Sequence, residues 1–209
     1  DKYQAKKSKL DEGLQKKIDE DSDRFAAMVD EWSKNPKKWF EEHKFETVDF
    51  MRQTPLALVL TGAKQYPLKI SAGFFGHSTK TKHPGMTPAV IKQIPKAMVE
   101  PLMILKDFED VKGVKKEFPN KRVLVLGVKN EYGATVVVPV KLEVDVERKR
   151  TLVNMPQTAF GVGGAKPSYQ YFINALENNG ELLYLDSKKS LAWAKAAKDA
   201  RTDTLTGLI

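Results

Sequence analysis

The run Val138-Pro139-Val140-Lys141-Leu142-Glu143-Val144-Asp145-Val146-Glu147 alternates apolar and polar residues without a break. Successive side chains of an extended chain point to opposite faces, so a period of two places Val138, Val140, Leu142, Val144 and Val146 together and the polar residues opposite them. One face has to be buried and the other wet, which predicts a strand of an antiparallel sheet with a solvent side. The flanking sequence extends that sheet. Arg122–Lys129 is continuously apolar at Val123, Leu124, Val125, Leu126 and Val128, as expected of a central strand covered on both faces. Leu102–Leu105 is a short apolar strand, Asn130-Glu131-Tyr132-Gly133 a turn, and Asp107–Asn120 a charged connection. Downstream, Arg148-Lys149-Arg150 makes the next turn and Thr151–Thr158 another strand.

The chain before this sheet reads as helical. From Gln4 to about Lys34, Leu10, Leu14, Ile18, Phe25, Met28, Val29 and Trp32 recur at helical spacings on an otherwise charged rod. This stripe predicts a helix laid against the body of the protein or against a neighbour. Asn35-Pro36 interrupts it and a short helix follows over Lys37–His43, with a composition change near Phe45. Thr54-Pro55 carries a cap-plus-proline signature and opens a short helix over Leu56–Leu60, ending at Gly62. Tyr66–Ser71 is a short extended segment, and Gly73-Phe74-Phe75-Gly76 is expected to turn the chain. Thr87-Pro88 opens a helix to about Gln93, with a kink or second turn after Pro95. Beyond the sheet, Gly161–Lys166 reads as a flexible loop, Tyr169–Asn178 as a helix, Glu181–Asp186 as a short strand, Ser187–Ala200 as a helix, and Arg201–Ile209 as a loose end. The fold class is α+β: N-terminal helices, then an antiparallel β-meander, then C-terminal helices.

The sequence of 209 residues holds 35 Lys and Arg against 27 Asp and Glu, a net charge of +8, which favours polyanionic partners, nucleic acid first. It has no cysteine, which excludes disulfides, thiolate metal sites and a cysteine nucleophile. No apolar run approaches the length that spans a bilayer, so no membrane span is expected. A start at Asp1, without methionine or signal peptide, makes an excised fragment the expectation.

Chemistry concentrates in Ser78-Thr79-Lys80-Thr81-Lys82-His83-Pro84-Gly85-Met86-Thr87-Pro88, which with His77 just upstream holds two of the three histidines. Histidine and lysine gathered before a helix N-terminus suit an anion, above all a phosphate. Walker, Rossmann, HExxH and protein-kinase motifs are absent. The spacing of His77 and His83 matches no metal signature, so neither a metal nor a cofactor is expected. Metal-free phosphodiester cleavage asks for what is present: an imidazole to take a proton from a ribose 2′-hydroxyl, a second acid for the leaving oxygen, and cations for the phosphate. A pyrophosphate would suit the same cluster.

The succession Thr54-Pro55, Gly62, Pro67-Leu68-Lys69-Ile70, Lys82-His83, Met86-Thr87, Ile94-Pro95-Lys96-Ala97-Met98 and Pro101-Leu102-Met103-Ile104, followed by two strands joined by a glycine turn and by the late Tyr171-Phe172-Ile173 and Asn179–Asp186, resembles the C-terminal domain of phage MuF-type head proteins. Related modules occur in polyvalent proteins and polymorphic toxins. The resemblance runs from about Phe50 to Lys189. It implies the barnase–EndoU–colicin–RelE class of small RNases, a fold of N-terminal helices packed on an antiparallel meander, and a metal-independent endoribonuclease toxin that leaves a cyclic phosphate on RNA, tRNA included.

Carried over, the family's Lys-His pair falls on Lys82 and His83. Where the late strand of such proteins presents a Ser-x-Tyr-like run, this chain has Asn154-Met155-Pro156-Gln157-Thr158, so Asn154 and Thr158 are the candidates to face His83. Lys80, His77, Lys69 and Gln157 complete the expected set as phosphate- or substrate-binding residues. Residues 1–45 are then a helical linker or delivery element and 46–209 the RNase-like toxin domain. A cognate immunity protein is the implied partner, and the bacterial cytoplasm the implied place of action. Two alternatives stand beside this: an NAD-directed toxin, hydrolysing NAD or transferring ADP-ribose, and a non-catalytic nucleic-acid-binding module of the phage head.

Overall fold

The alternating run is a strand, β5 (Thr135–Val146), at the middle of an eight-stranded sheet. The protein is described here from a computed structural model covering residues 2–111, 114–146, 151–163, 172–173, 177 and 182–196, with 2–11 and 107–117 described for the backbone alone. The remaining strands are β1 (Thr47–Met51), β2 (Leu68–Ser71), β3 (Met103–Val111), β4 (Val114–Lys129), β6 (Thr151–Pro156), β7 (Phe160–Gly161) and β8 (Leu182–Leu185). The helices are α1 (Lys2–Lys34), α2 (Pro36–His43), α3 (Leu56–Val59), α4 (Gly73–Ser78), α5 (Pro88–Ile91), α6 (Ile94–Val99) and α7 (Ser187–Ala196).

Strands β3 to β6 form an antiparallel meander in which Leu105 pairs with Val123, Leu124 with Val138 and Val144 with Val153. Strand β8 adds to it antiparallel beside β3, and β7 pairs with the start of β5. At the far edge β1 and β2 pair antiparallel, and β2 then runs parallel to β6, with Leu68 opposite Asn154. The sheet order is β1-β2-β6-β5-β4-β3-β8, so the class is α+β with one parallel junction.

Side-chain alternation separates two cores. Leu124, Leu126, Val136, Val138, Val140 and Leu142 face the main core with Phe25, Val29, Trp32 and Trp39 of the N-terminal helices and with Phe50, Phe74, Phe75, Ile91, Ile94 and Met98. Val123, Val125 and Val137 face a smaller core with Phe172, Ile173 and Trp193. The expected wet face of β5 exists only beyond Pro139. Its first four residues are all buried, because Trp193 of α7 covers that end and donates its indole N–H to Thr135 Oγ1 at 3.0 Å.

Helix α1 is fastened by charge as well as by its stripe. Asp21, 3% exposed, accepts from the backbone amide of Arg52 at 2.9 Å and from its Nε at 2.8 Å. The same guanidinium reaches Glu20 at 2.7 Å and the carbonyl of Lys17 at 3.0 Å.

Two local expectations are corrected. Gly73–Gly76 does not turn the chain but begins α4, because Phe74 and Phe75 are fully buried among Phe25, Phe50, Trp32 and Trp39; that packing overrides the poor helix propensity of glycine. The charged connection Asp107–Asn120 is a hairpin instead, in which β3 and β4 continue with Glu109 opposite Lys116 and Asp110 opposite Lys115. Such a hairpin is set by backbone register, which a hydrophobic pattern does not reveal. Of the expected helix over Tyr169–Asn178, Phe172, Ile173 and Glu177 are helical and the rest lies outside the described residues, as do the second half of the Gly161–Lys166 loop and Arg201–Ile209.

Candidate phosphate-handling site

The focal loop is held at both ends by groups distant in sequence. At its start Ser78, fully buried, donates its hydroxyl to the carbonyl of Phe74 at 2.8 Å and accepts the amide of Ala159 at 2.9 Å. Its oxygen also lies 3.4 Å from Thr158 Oγ1. This ties the end of α4 to the segment between β6 and β7. At the other end Asn130, 5% exposed, donates its side-chain amide to the carbonyl of Pro84 at 3.0 Å while its oxygen accepts the amides of Tyr132 and Ala134 at 3.0 and 2.8 Å. The amide of Glu131 adds a bond to the carbonyl of Gly85 at 3.0 Å. Gly85 has φ +81°, and a Cβ there would lie 2.7 Å from the Tyr132 ring; any side chain would open this junction.

Between these anchors the amide of His83 donates to the carbonyl of Lys80 at 2.7 Å, closing a turn that carries Lys80, Lys82 and His83. The imidazole of His83, partly buried, stacks on Phe160 with ring centroids 5.0 Å apart and 18° between planes. Its pKa lies below the ordinary histidine value of 6.5, chiefly because burial disfavours the imidazolium, and further because of its electrostatic interaction with Lys82, Lys80 and, least, His77. Lys80 Nζ lies 3.1 Å from His77 Nδ1. An ammonium can only donate, so Nδ1 accepts and the neutral His77 ring keeps its proton on Nε2. No acidic side chain pairs with Lys80 or Lys82 among the described residues. Lys80, Lys82, His77 and His83 therefore form a cationic cluster with the His83 imidazole stacked on Phe160, and Thr158 is tied to the start of the loop through Ser78.

The helix N-terminus does not itself form this site. Helix α5 has four residues; its cap, Thr87, accepts the amide of Val90 at 3.4 Å and donates to Glu131 at 2.8 Å, so a carboxylate already occupies that end.

The structure separates the remaining candidates from His83. Asn154 is fully buried and points away from solvent: its amide nitrogen donates to Thr54 Oγ1 at 2.8 Å and to the carbonyl of Lys64 at 2.9 Å, while its oxygen accepts the amide of Glu143 at 3.1 Å. It fastens β6 to the loop ahead of β2 and to a bulge of β5 where Glu143 has φ +54°. Gln157 is exposed and bonds back to the carbonyl of Met155 at 3.0 Å. Lys69 pairs with Asp49 across β1 and β2 at 3.1 Å. Neither touches the cluster.

Phe160 was not singled out by the sequence; its one visible signal is an aromatic residue just before the glycine-rich run Gly161–Gly164. His77 and Lys80 also line a cavity of about 700 Å3 between α2 and α4. Among the described residues no three His, Cys, Asp or Glu side chains gather as metal ligands, and no helix is long and apolar enough to cross a membrane.

The family model described as the phage MuF C-terminal domain matches residues 76–192, more than half of the chain, a span that includes His77–His83, Thr158 and Phe160. No curated protein and no solved structure matches the chain.

Proposed function

The chain belongs to the phage MuF C-terminal domain family, and on that premise we propose that it is a metal-independent endoribonuclease, with His83 as general base. One observation carries this: His83 is partly buried on Phe160, with its pKa depressed, inside a group of cations that no carboxylate neutralises among the described residues. A neutral imidazole at working pH is the form that accepts a proton.

Bound RNA presents a ribose 2′-hydroxyl to His83. His83 takes its proton as the oxygen forms a bond to phosphorus. Lys82 and Lys80 stabilise the additional negative charge on the pentacoordinate phosphate. The bond from phosphorus to the 5′-oxygen breaks, and that oxygen takes a proton from the Lys80 ammonium relayed through the His77 ring: Nε2 gives up its proton as Nδ1 receives one from Lys80 Nζ, 3.1 Å away. The products are a 2′,3′-cyclic phosphate and a 5′-hydroxyl, and no metal is needed. Thr158, beside Ser78, supplies a hydroxyl to a phosphate oxygen. Such an enzyme acts as a toxin in a bacterial cytoplasm and has a cognate immunity protein, acidic enough to cover the cationic loop, as its partner.

The test is total RNA incubated in EDTA with the wild type and with His83→Ala, with NAD followed in parallel. Cyclic-phosphate ends from the wild type and a loss of roughly 10²–10⁴-fold in His83→Ala are expected. Intact RNA with NAD consumed would overturn the proposal in favour of an NAD-directed toxin. Intact RNA and NAD, with salt-dependent RNA binding, would leave a nucleic-acid-binding module of the phage head.

A further inference from the structure

The cavity between α2 and α4 shares His77 and Lys80 with the proposed phosphate site but extends away from His83. Its volume of about 700 Å3 falls in the range of pockets that hold nucleotide-sized ligands. The two helices contribute different surfaces. Helix α2 buries Trp39, 2% exposed, and leaves Phe40 44% exposed on the cavity wall. Helix α4 and the residue before it contribute Ala72, Gly73 and Gly76, and a Cβ added at Gly76 would meet nothing within 4 Å. An apolar slot thus runs between an accessible aromatic ring and helix backbone that is open at Gly76. Its charge is positive: Lys37 and Lys80 line it beside His77, and its one acid, Glu41, is paired with Lys44 at 2.5 Å.

We propose that this slot is a nucleobase subsite, in which a base of the bound strand stacks on Phe40 while its phosphate lies on Lys80 and His77. A planar heterocycle joined to a phosphate is the ligand class that such a slot takes: the base offers a π face to the phenyl ring, and the anion meets the cations at the shared end. The inference rests on the anion site proposed above, but not on the reaction assigned to it.

Binding of adenosine monophosphate, ribose 5-phosphate and inorganic phosphate is measured by calorimetry on the wild type, Phe40→Ala, Gly76→Leu and Lys80→Ala. Phe40 is partly in water and the space at Gly76 is open, so neither change disturbs the core. The wild type is expected to bind adenosine monophosphate roughly tenfold more tightly than ribose 5-phosphate, the size of one base stacked on an aromatic ring. Phe40→Ala and Gly76→Leu are expected to remove that difference and leave ribose 5-phosphate unchanged, while Lys80→Ala weakens both. Equal affinity of the wild type for the two ligands, or a difference that survives Gly76→Leu, overturns the subsite. A retained difference in a protein that leaves RNA intact supports the subsite and removes the reaction, so the two proposals fail separately.

Discussion

Asn154 and His83 are both polar side chains on elements the sequence marked for chemistry, and the fold uses them in opposite ways. Asn154 is sealed in protein with its donors and its oxygen satisfied by Thr54, Lys64 and Glu143. His83 is only partly buried, has a ring rather than a hydrogen-bond partner beneath its imidazole, and sits among lysines that make no ion pair among the described residues. A polar group with every bond made to its own chain holds the chain together, because exchanging those bonds for a ligand would strand buried donors. A polar group with unspent capacity at the edge of solvent is free to act on something else.

Substitutions sharpen that contrast. The largest expected effect is on His83→Ala, which lowers RNA cleavage in EDTA by roughly 10²–10⁴-fold while its unfolding midpoint in urea stays close to that of the wild type. Asn154→Ala should do the reverse: a loss of about 3 kcal/mol in urea unfolding, from buried groups left unpaired, with cleavage per folded molecule retained. Cleavage that falls with Asn154→Ala at full folding would break the contrast. Phe160→Ala comes next. Burial is the leading cause of the depressed His83 pKa, so removing the ring beneath it should raise that pKa toward 6.5 in an imidazole NMR titration. Smallest is Lys69→Ala, which removes only a partly exposed pair with Asp49 and should change stability by about 0.5 kcal/mol or less, with cleavage unchanged.

Local physics made much of this molecule legible before any coordinates. The period-two run of β5, the apolar run of β4 and the stripe Phe25, Val29, Trp32 of α1 each depend on burying one face, and each lies where its pattern predicts. The Thr87 cap with its following proline behaves likewise, whereas Thr54, read the same way, caps nothing: Pro55 stands at the N-cap and the Thr54 hydroxyl donates to the carbonyl of Tyr66. What stayed hidden depends on partners far along the chain. Asn154 sits in a strand where a polar residue reads as solvent-facing, and only the parallel approach of β2 beside β6 buries it. Phe160 meets His83 across 77 positions in sequence, and no spacing rule connects them. Helix α4 forms because aromatic residues from α1, α2 and β1 converge on Phe74 and Phe75, which outweighs the glycines that suggested a turn.

The direct test of the central claim is the pH dependence of RNA cleavage in EDTA, for the wild type and Lys82→Ala. A base with a depressed pKa stays neutral below the ordinary histidine value, so the wild-type acidic limb should lie below pH 6.5. Its native state also binds fewer protons than the unfolded chain in that window, so stability falls with cleavage as the pH drops through it. Removing the Lys82 charge should move the limb upward whatever it does to the maximal rate. An acidic limb at or above 6.5 that Lys82→Ala leaves in place would contradict the assignment of His83 as the base.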